Sequence, residues 1–158
     1  MIRGAIGDTG IAYRVDGPAD GPVVVFSNSL GTDHRLWDSQ MPAVGDRFRV
    51  VRYEACGHGL SDPPRGRVTI QRLGQDLIAL LDHLEIDRAI VCGCSLGGVI
   101  ALWLSANRPE RVTGVTTTSP RAIARPAPGV TCRSTRGWIA CRTRRCLHSI
   151  VWAPTSLP

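Results

Sequence analysis

Ile90-Val91-Cys92-Gly93-Cys94-Ser95-Leu96-Gly97-Gly98-Val99-Ile100 is the stretch on which the rest of the chain turns. A short apolar run ends in Gly-x-Ser-x-Gly, and small and apolar residues continue through Ala101, Leu102 and Trp103. That order predicts a strand, a very sharp turn and a helix with Ser95 at the apex, the setting of a nucleophile elbow. Such a turn presses backbone against backbone, so Gly93 and Gly97 stand where a side chain would clash. The competing reading is an ordinary glycine-rich strand-to-helix turn. The apolar run before the motif and the helical one after it favour the elbow.

The flanking sequence alternates strand and helix signals. Ile11 to Val15 alternates apolar and polar residues, as a strand does. Val23-Val24-Val25-Phe26 is a continuous apolar run, expected of a strand covered on both faces, and it opens into the polar, small-residue loop 27–33. Leu36, Trp37, Met41 and Val44 are spaced for a short amphipathic helix, Phe48 to Tyr53 reads as a strand, and 56–64 as a long turn. Thr69 is a plausible N-cap. After it Ile70, Leu73, Leu77, Leu80, Leu81 and Leu84 fall on one helical face, with Arg72, Asp76 and Asp82 mostly elsewhere. Ala89 to Cys92 feeds the elbow, Leu96 to Ala106 forms the helix after it, and Asn107-Arg108-Pro109-Glu110 stops that helix. Arg111 to Thr117 is a further β-branched strand. The alternation predicts an α/β domain, a mostly parallel sheet with helices on both faces. Functional loops then lie at the carboxyl ends of the strands, where 27–33 and 93–98 both fall.

Charge divides the 158 residues in two. Residues 1–120 carry 12 Arg against 13 acids, residues 121–158 carry seven Arg and no acid, and lysine is absent, so the net charge of +6 resides in the tail. The expected organisation is a folded part over 1–120 and an irregular Arg-rich tail over 121–158, which shows neither helical nor strand period. A basic arm for nucleic acid is one reading of such asymmetry. The tail lacks aromatic interleaving on a recognisable fold, so no nucleic-acid partner is expected. No apolar run approaches the ~20 residues of a membrane span, and the N-terminus has no export signal, so neither a membrane partner nor secretion is expected. The cysteines Cys56, Cys92, Cys94, Cys132, Cys141 and Cys146 then read as reduced thiols. The single-residue gap between Cys92 and Cys94 does not fit a zinc-binding pair, and no metal is expected.

A serine hydroxyl needs a base and a stabiliser for the oxyanion it creates. The Leu96 N–H, at the start of the helix, is one oxyanion donor. The second belongs to the loop after Val23–Phe26, where the Leu30 N–H is the best candidate and Asn28 and Ser29 shape the turn. The base is harder to find. In an elbow-based triad the order is Ser, acid, His, and after Ser95 the only acid is Glu110 and the only histidine His148. Glu110 precedes its strand, which puts it at the far end of the sheet, and His148 lies in the patternless tail. No triad acid or histidine is therefore expected. His34 and His58 are read as loop or substrate-contact residues near the pocket mouth rather than bases, and His83 as a surface residue.

Ser27-Asn28-Ser29-Leu30-Gly31-Thr32-Asp33 with Trp37, then Arg52-Tyr53-Glu54-Ala55-Cys56-Gly57-His58-Gly59-Leu60-Ser61, then Gly93-Cys94-Ser95-Leu96-Gly97-Gly98 resemble the α/β-hydrolase family. The resemblance runs from about Ile11 to about Ser119 and is strongest to the 3-oxoadipate enol-lactonases, the β-ketoadipate enol-lactone hydrolases. It implies a cytoplasmic bacterial hydrolase of aromatic catabolism that opens a small-molecule enol-lactone with water and without a cofactor. Ser95 would be the nucleophile, with Leu30 and Leu96 as oxyanion donors. A general carboxyl-ester hydrolase of the same fold, or a non-catalytic fragment, is the alternative. Glu54 stands where the family usually has Asp and Cys56 where it usually has Arg; both touch a turn-stabilising network rather than the nucleophile. The resemblance stops after about the sixth strand, and the family's lid, acid and histidine have no counterpart. A reading-frame shift or truncation near residue 120 is the preferred account of the tail, and a basic functional tail the other. On this reading the chain as given is a poor hydrolase, and Val112–Thr117 is an uncovered sheet edge.

Overall fold

The computed structural model describes residues 1–118 in full and the backbone of 130–135 and 138–143. Among the described residues eight strands form one sheet: β1 (Ile2–Ile6), β2 (Thr9–Asp16), β3 (Val23–Ser27), β4 (Arg49–Glu54), β5 (Ala89–Cys94), β6 (Val112–Thr118), β7 (Val130–Thr135) and β8 (Trp138–Thr143). Their order across the sheet is β1-β2-β4-β3-β5-β6-β8-β7. The centre is parallel: β4, β3, β5 and β6 run together, with Val25 opposite both Val51 and Val91. The β1–β2 hairpin closes one side, antiparallel to β4.

Because side chains alternate along a strand, each central strand feeds two cores. On one face Val25, Val51, Val91 and Val115 meet Leu73, Leu77, Leu80 and Leu81 of helix α2 (Ile70–His83), and Ile100 and Leu104 of helix α3 (Leu96–Asn107). On the other Val24, Phe26, Val50 and Cys92 pack with Trp37 and Val44. Helices thus cover both faces, and the continuous apolar runs of β3 and β5 are the signature of that double burial. Thr69 caps α2 as the sequence predicts, its hydroxyl accepting the Arg72 N–H at 3.1 Å. Among the described residues no helix is long and apolar enough to cross a membrane.

Several elements differ from the sequence reading. β1 escapes it because of its five residues only Ile6 is buried, which leaves no period to detect. The segment read as one amphipathic helix is a 3-10 helix over His34–Gln40 running into a four-residue α1 (Met41–Val44), and of it only Trp37 and Val44 are buried. Asp76 lies inside rather than on the polar face, 7 % exposed, and is held by the Arg72 guanidinium at 2.9 Å.

The tail differs most. No strand period is expected over 121–158, yet β8 pairs antiparallel with β6, Gly114 opposite Arg142 through to Thr118 opposite Trp138, and β7 pairs outside it. The edge of β6 is therefore covered. Val130, Thr131, Ile139 and Thr143 favour extended backbone. Two six-residue runs broken by Arg and Cys are too short to show a period, while an open strand edge offers a row of backbone groups to pair with. The remaining residues of 119–158, His148 and Cys146 among them, lie outside the described residues.

A buried charge locks the β2–β4 pair. Arg52 reaches Asp16 at 2.8 Å and Asp38 at 2.6 Å, with its own side chain 4 % exposed. Burial raises the Asp16 pKa, but hydrogen bonds and charge from Arg52 and Arg14 outweigh it and hold the carboxyl below its usual range. An acid that is stronger in the folded state stabilises above its unfolded pKa and loses that contribution as pH falls through its folded value. The thermal midpoint should therefore decline as pH falls below about 4. Asp16→Asn should flatten that acid limb, followed by circular dichroism.

Candidate active site

β5 ends at Cys94 and α3 begins at Leu96, so Ser95 alone reverses the chain. It does so at φ 49° and ψ −109°, a left-handed conformation that among the described non-glycine residues only Glu85 shares in sign. Such a residue costs about 1–3 kcal/mol and persists only where its surroundings over-determine it. Here they do. The Ser95 N–H donates to the Thr118 carbonyl at 2.9 Å, and the Ser95 carbonyl accepts from Val99 at 3.1 Å. A Cβ on Gly93 would lie 2.3 Å from the Gly97 carbonyl, and one on Gly97 would lie 2.1 Å from the Ser27 carbonyl oxygen. The first turn of α3 therefore rests directly on the end of β3, and the Gly97 N–H donates to the Asn28 carbonyl at 2.9 Å. Ser95 itself is half-buried.

The adjacent loop is equally fixed. The Ser29 carbonyl accepts both the Thr32 N–H at 3.2 Å and its hydroxyl at 2.8 Å, with Gly31 at φ 72° in the turn. Leu30 stands at the crest of that turn, 71 % exposed. Leu96 is the first helical residue, so its N–H lies outside the helical ladder. Among the described residues no acceptor pairs with the N–H of Leu30 or Leu96. β3 and β5 are parallel neighbours, so both groups emerge at the same carboxyl edge. Asn28, read from sequence only as shaping the turn, is buried, its amide bonded to Trp37 and to the Tyr53 carbonyl.

No triad assembles around Ser95 among the described residues. Glu110 is exposed in a short 3-10 turn (Pro109–Arg111) before β6, at the end of the sheet away from Ser95. His58 contacts the Cys56 carbonyl at 3.2 Å and serves its own loop. His83 is exposed, with a ring nitrogen 3.1 Å from the Tyr13 hydroxyl. His34 lies 2.8 Å from Glu54 Oε1, while Glu54 Oε2 accepts the Leu60 N–H at 2.5 Å. Glu54 thus ties the start of the 3-10 helix to the 55–61 turn.

Asp33, His34 and Glu54 are the described residues most able to hold a cation, with ligand atoms within 4.8 Å of one another. All four carboxylate oxygens already accept hydrogen bonds, those of Asp33 from Arg35. The Arg35 guanidinium, then its backbone N–H, hold the Asp33 carboxyl at about 2. The set is a hydrogen-bonded clasp between two loops. Burial pushes the Cys92 thiol up to about 12 and raises Cys94 and Cys56 as well. Thiols so shifted stay protonated and are poor nucleophiles.

Comparison with known proteins agrees with the fold. The family described as alpha/beta hydrolase fold matches residues 22–139. Two proteins of Acinetobacter baylyi, 3-oxoadipate enol-lactonases 1 and 2, are 42% identical over 122 residues and 44% identical over 108. These alignments cover 77% and 68% of this chain but 45% and 40% of the relatives, so the chain spans less than half of their length. Among solved structures, the enol-lactonase from Burkholderia xenovorans superposes with a TM-score of 0.70 at 41% identity, covering 72% of this chain and 45% of that one.

Proposed function

The chain belongs to the alpha/beta hydrolase fold family, and from that premise we propose that its site opens a carboxylic ester or lactone with Ser95 as the nucleophile, in the manner of an enol-lactonase. The observation that carries the reading is the conformation of Ser95, a residue held at positive φ between β5 and α3 by glycines that admit no side chain. The Ser95 oxygen adds to the lactone carbonyl carbon, the bond to the ring oxygen breaks, and the hydroxyl proton passes to that leaving oxygen through solvent water or an added base, since no described side chain stands beside Ser95 to carry it. Water then releases the acid from Ser95. The Leu30 and Leu96 N–H groups receive the oxyanion, each worth about 3 kcal/mol of transition-state stabilisation. The narrower assignment, to an enol-lactone of aromatic catabolism in the cytoplasm, is supported by the identity to the two enol-lactonases and by the Asn28-Ser29-Leu30-Gly31-Thr32-Asp33 loop.

A second reading, a non-catalytic fragment, is favoured by one observation: no acid and histidine stand with Ser95 among the described residues. The two readings are separated by adding the missing base. Without one, hydrolysis should remain weak, on the order of 10³–10⁴ over water from oxyanion binding alone. Exogenous imidazole should accelerate enol-lactone opening by the 158-residue chain and not by Ser95→Ala. Equal acceleration of both would remove Ser95 as nucleophile and leave the fragment reading.

A further inference from the structure

We infer that Asn28 is a positioning residue, whose side chain fixes the two oxyanion donors relative to one another. The inference rests on the assignment of Ser95, Leu30 and Leu96 above. Asn28 is 7 % exposed and bonds to three separate elements. Its Oδ1 accepts from the Trp37 indole N–H at 2.8 Å, its Nδ2 donates to the Tyr53 carbonyl at 3.1 Å, and its own carbonyl accepts the Gly97 N–H at 2.9 Å. The first contact reaches the 3-10 helix, the second the end of β4, the third the opening turn of α3. Leu30 lies two residues further on and Leu96 immediately before Gly97, so each donor is one short step of backbone from this junction.

The anchors on either side are rigid. Trp37 is 3 % exposed and stacks on Phe26 with ring centroids 4.5 Å apart. Tyr53 is 2 % exposed, its hydroxyl 2.9 Å from Ser27 Oγ, and burial keeps it neutral by raising its pKa. Both groups of the Asn28 amide are therefore satisfied by partners built into the core, Trp37 into the smaller cluster and Tyr53 into the larger. An oxyanion donor acts only if it is already in place when charge develops, and a displacement of about 1 Å in a positioned group costs on the order of 100-fold.

The test measures hydrolysis of p-nitrophenyl acetate above buffer by the full chain, by Trp37→Phe and by Asn28→Ala. Trp37→Phe keeps an aromatic ring against Phe26 while removing the indole donor together with part of the ring system. Positioning predicts a fall in kcat of about tenfold or more in each folded variant, with KM within about twofold. An unchanged kcat in folded variants overturns the inference and leaves the hydrolase reading intact. Parallel changes in kcat and KM mean a merely structural residue and overturn it too. If Asn28→Ala does not fold, Trp37→Phe decides alone. A wild-type chain no faster than buffer removes the hydrolase reading and the inference with it.

Discussion

Replacing Gly97 by alanine is expected to abolish the native fold rather than slow a reaction. A Cβ there would sit 2.1 Å from the Ser27 carbonyl oxygen, 2.4 Å from its carbon and 2.7 Å from the Asn28 oxygen. All three are backbone atoms, and none has a rotamer by which to retreat. β3 cannot shift away either, because β4 and β5 hold it on both sides. The cost should exceed about 4 kcal/mol, the range reserved for the severest substitutions, against a total stability of about 5–15 kcal/mol. The neighbouring glycine is the control. A Cβ on Gly98 meets nothing closer than 3.3 Å, the Thr117 Cβ, so Gly98→Ala should stay folded. Thermal unfolding followed by circular dichroism distinguishes the two, and a cooperative Gly97→Ala transition near the wild-type midpoint would contradict the contact described.

Leu77→Ala should cost about 3 kcal/mol, within the 2–5 kcal/mol typical of a buried leucine truncated to alanine. Leu77 is fully buried in α2, within the larger core that includes Val25 and Val91. Collapse around the missing atoms is limited because neighbours on both the sheet and α3 are themselves tied into regular elements. Gln71, exposed on the same helix, should give less than about 0.5 kcal/mol on the same change. Urea denaturation monitored at equilibrium measures both, and similar midpoints for the two variants would place Leu77 outside the core.

What the sequence reveals follows from how local each signal is. The five strands β2 to β6 are readable because each is an apolar run or an alternation, and α2 because its leucines repeat at helical spacing behind Thr69. The elbow is readable because two glycines bracket one serine. β1 is not, since Arg3 and Gly4 interrupt it and only Ile6 is covered. Asp76 is misplaced because a charge off the apolar face of an amphipathic helix looks solvent-facing until its Arg72 partner is seen. Asn28 shows the limit most clearly. Its amide partners lie nine and 25 residues away in sequence, and no local pattern encodes a bond to Trp37 or to Tyr53. That only Glu110 and His148 follow Ser95 as acid and histidine is a plain count of residue types.

β3 takes β4 on one side and β5 on the other, and the residue opposite Val25 on the β5 side is Val91. During synthesis Val25 leaves the ribosome long before Val91 has been made. One side of β3 therefore waits, unpaired, while the whole of α2 is produced. Closing so long a loop is slow compared with zipping a hairpin such as β1–β2. Only after β5 has joined the centre does the Gly97 N–H find the Asn28 carbonyl. Ser95 thus acquires its shape late in the life of the nascent chain, and a ribosome-bound intermediate arrested before residue 90 would hold the Leu30 loop with nothing yet to face it.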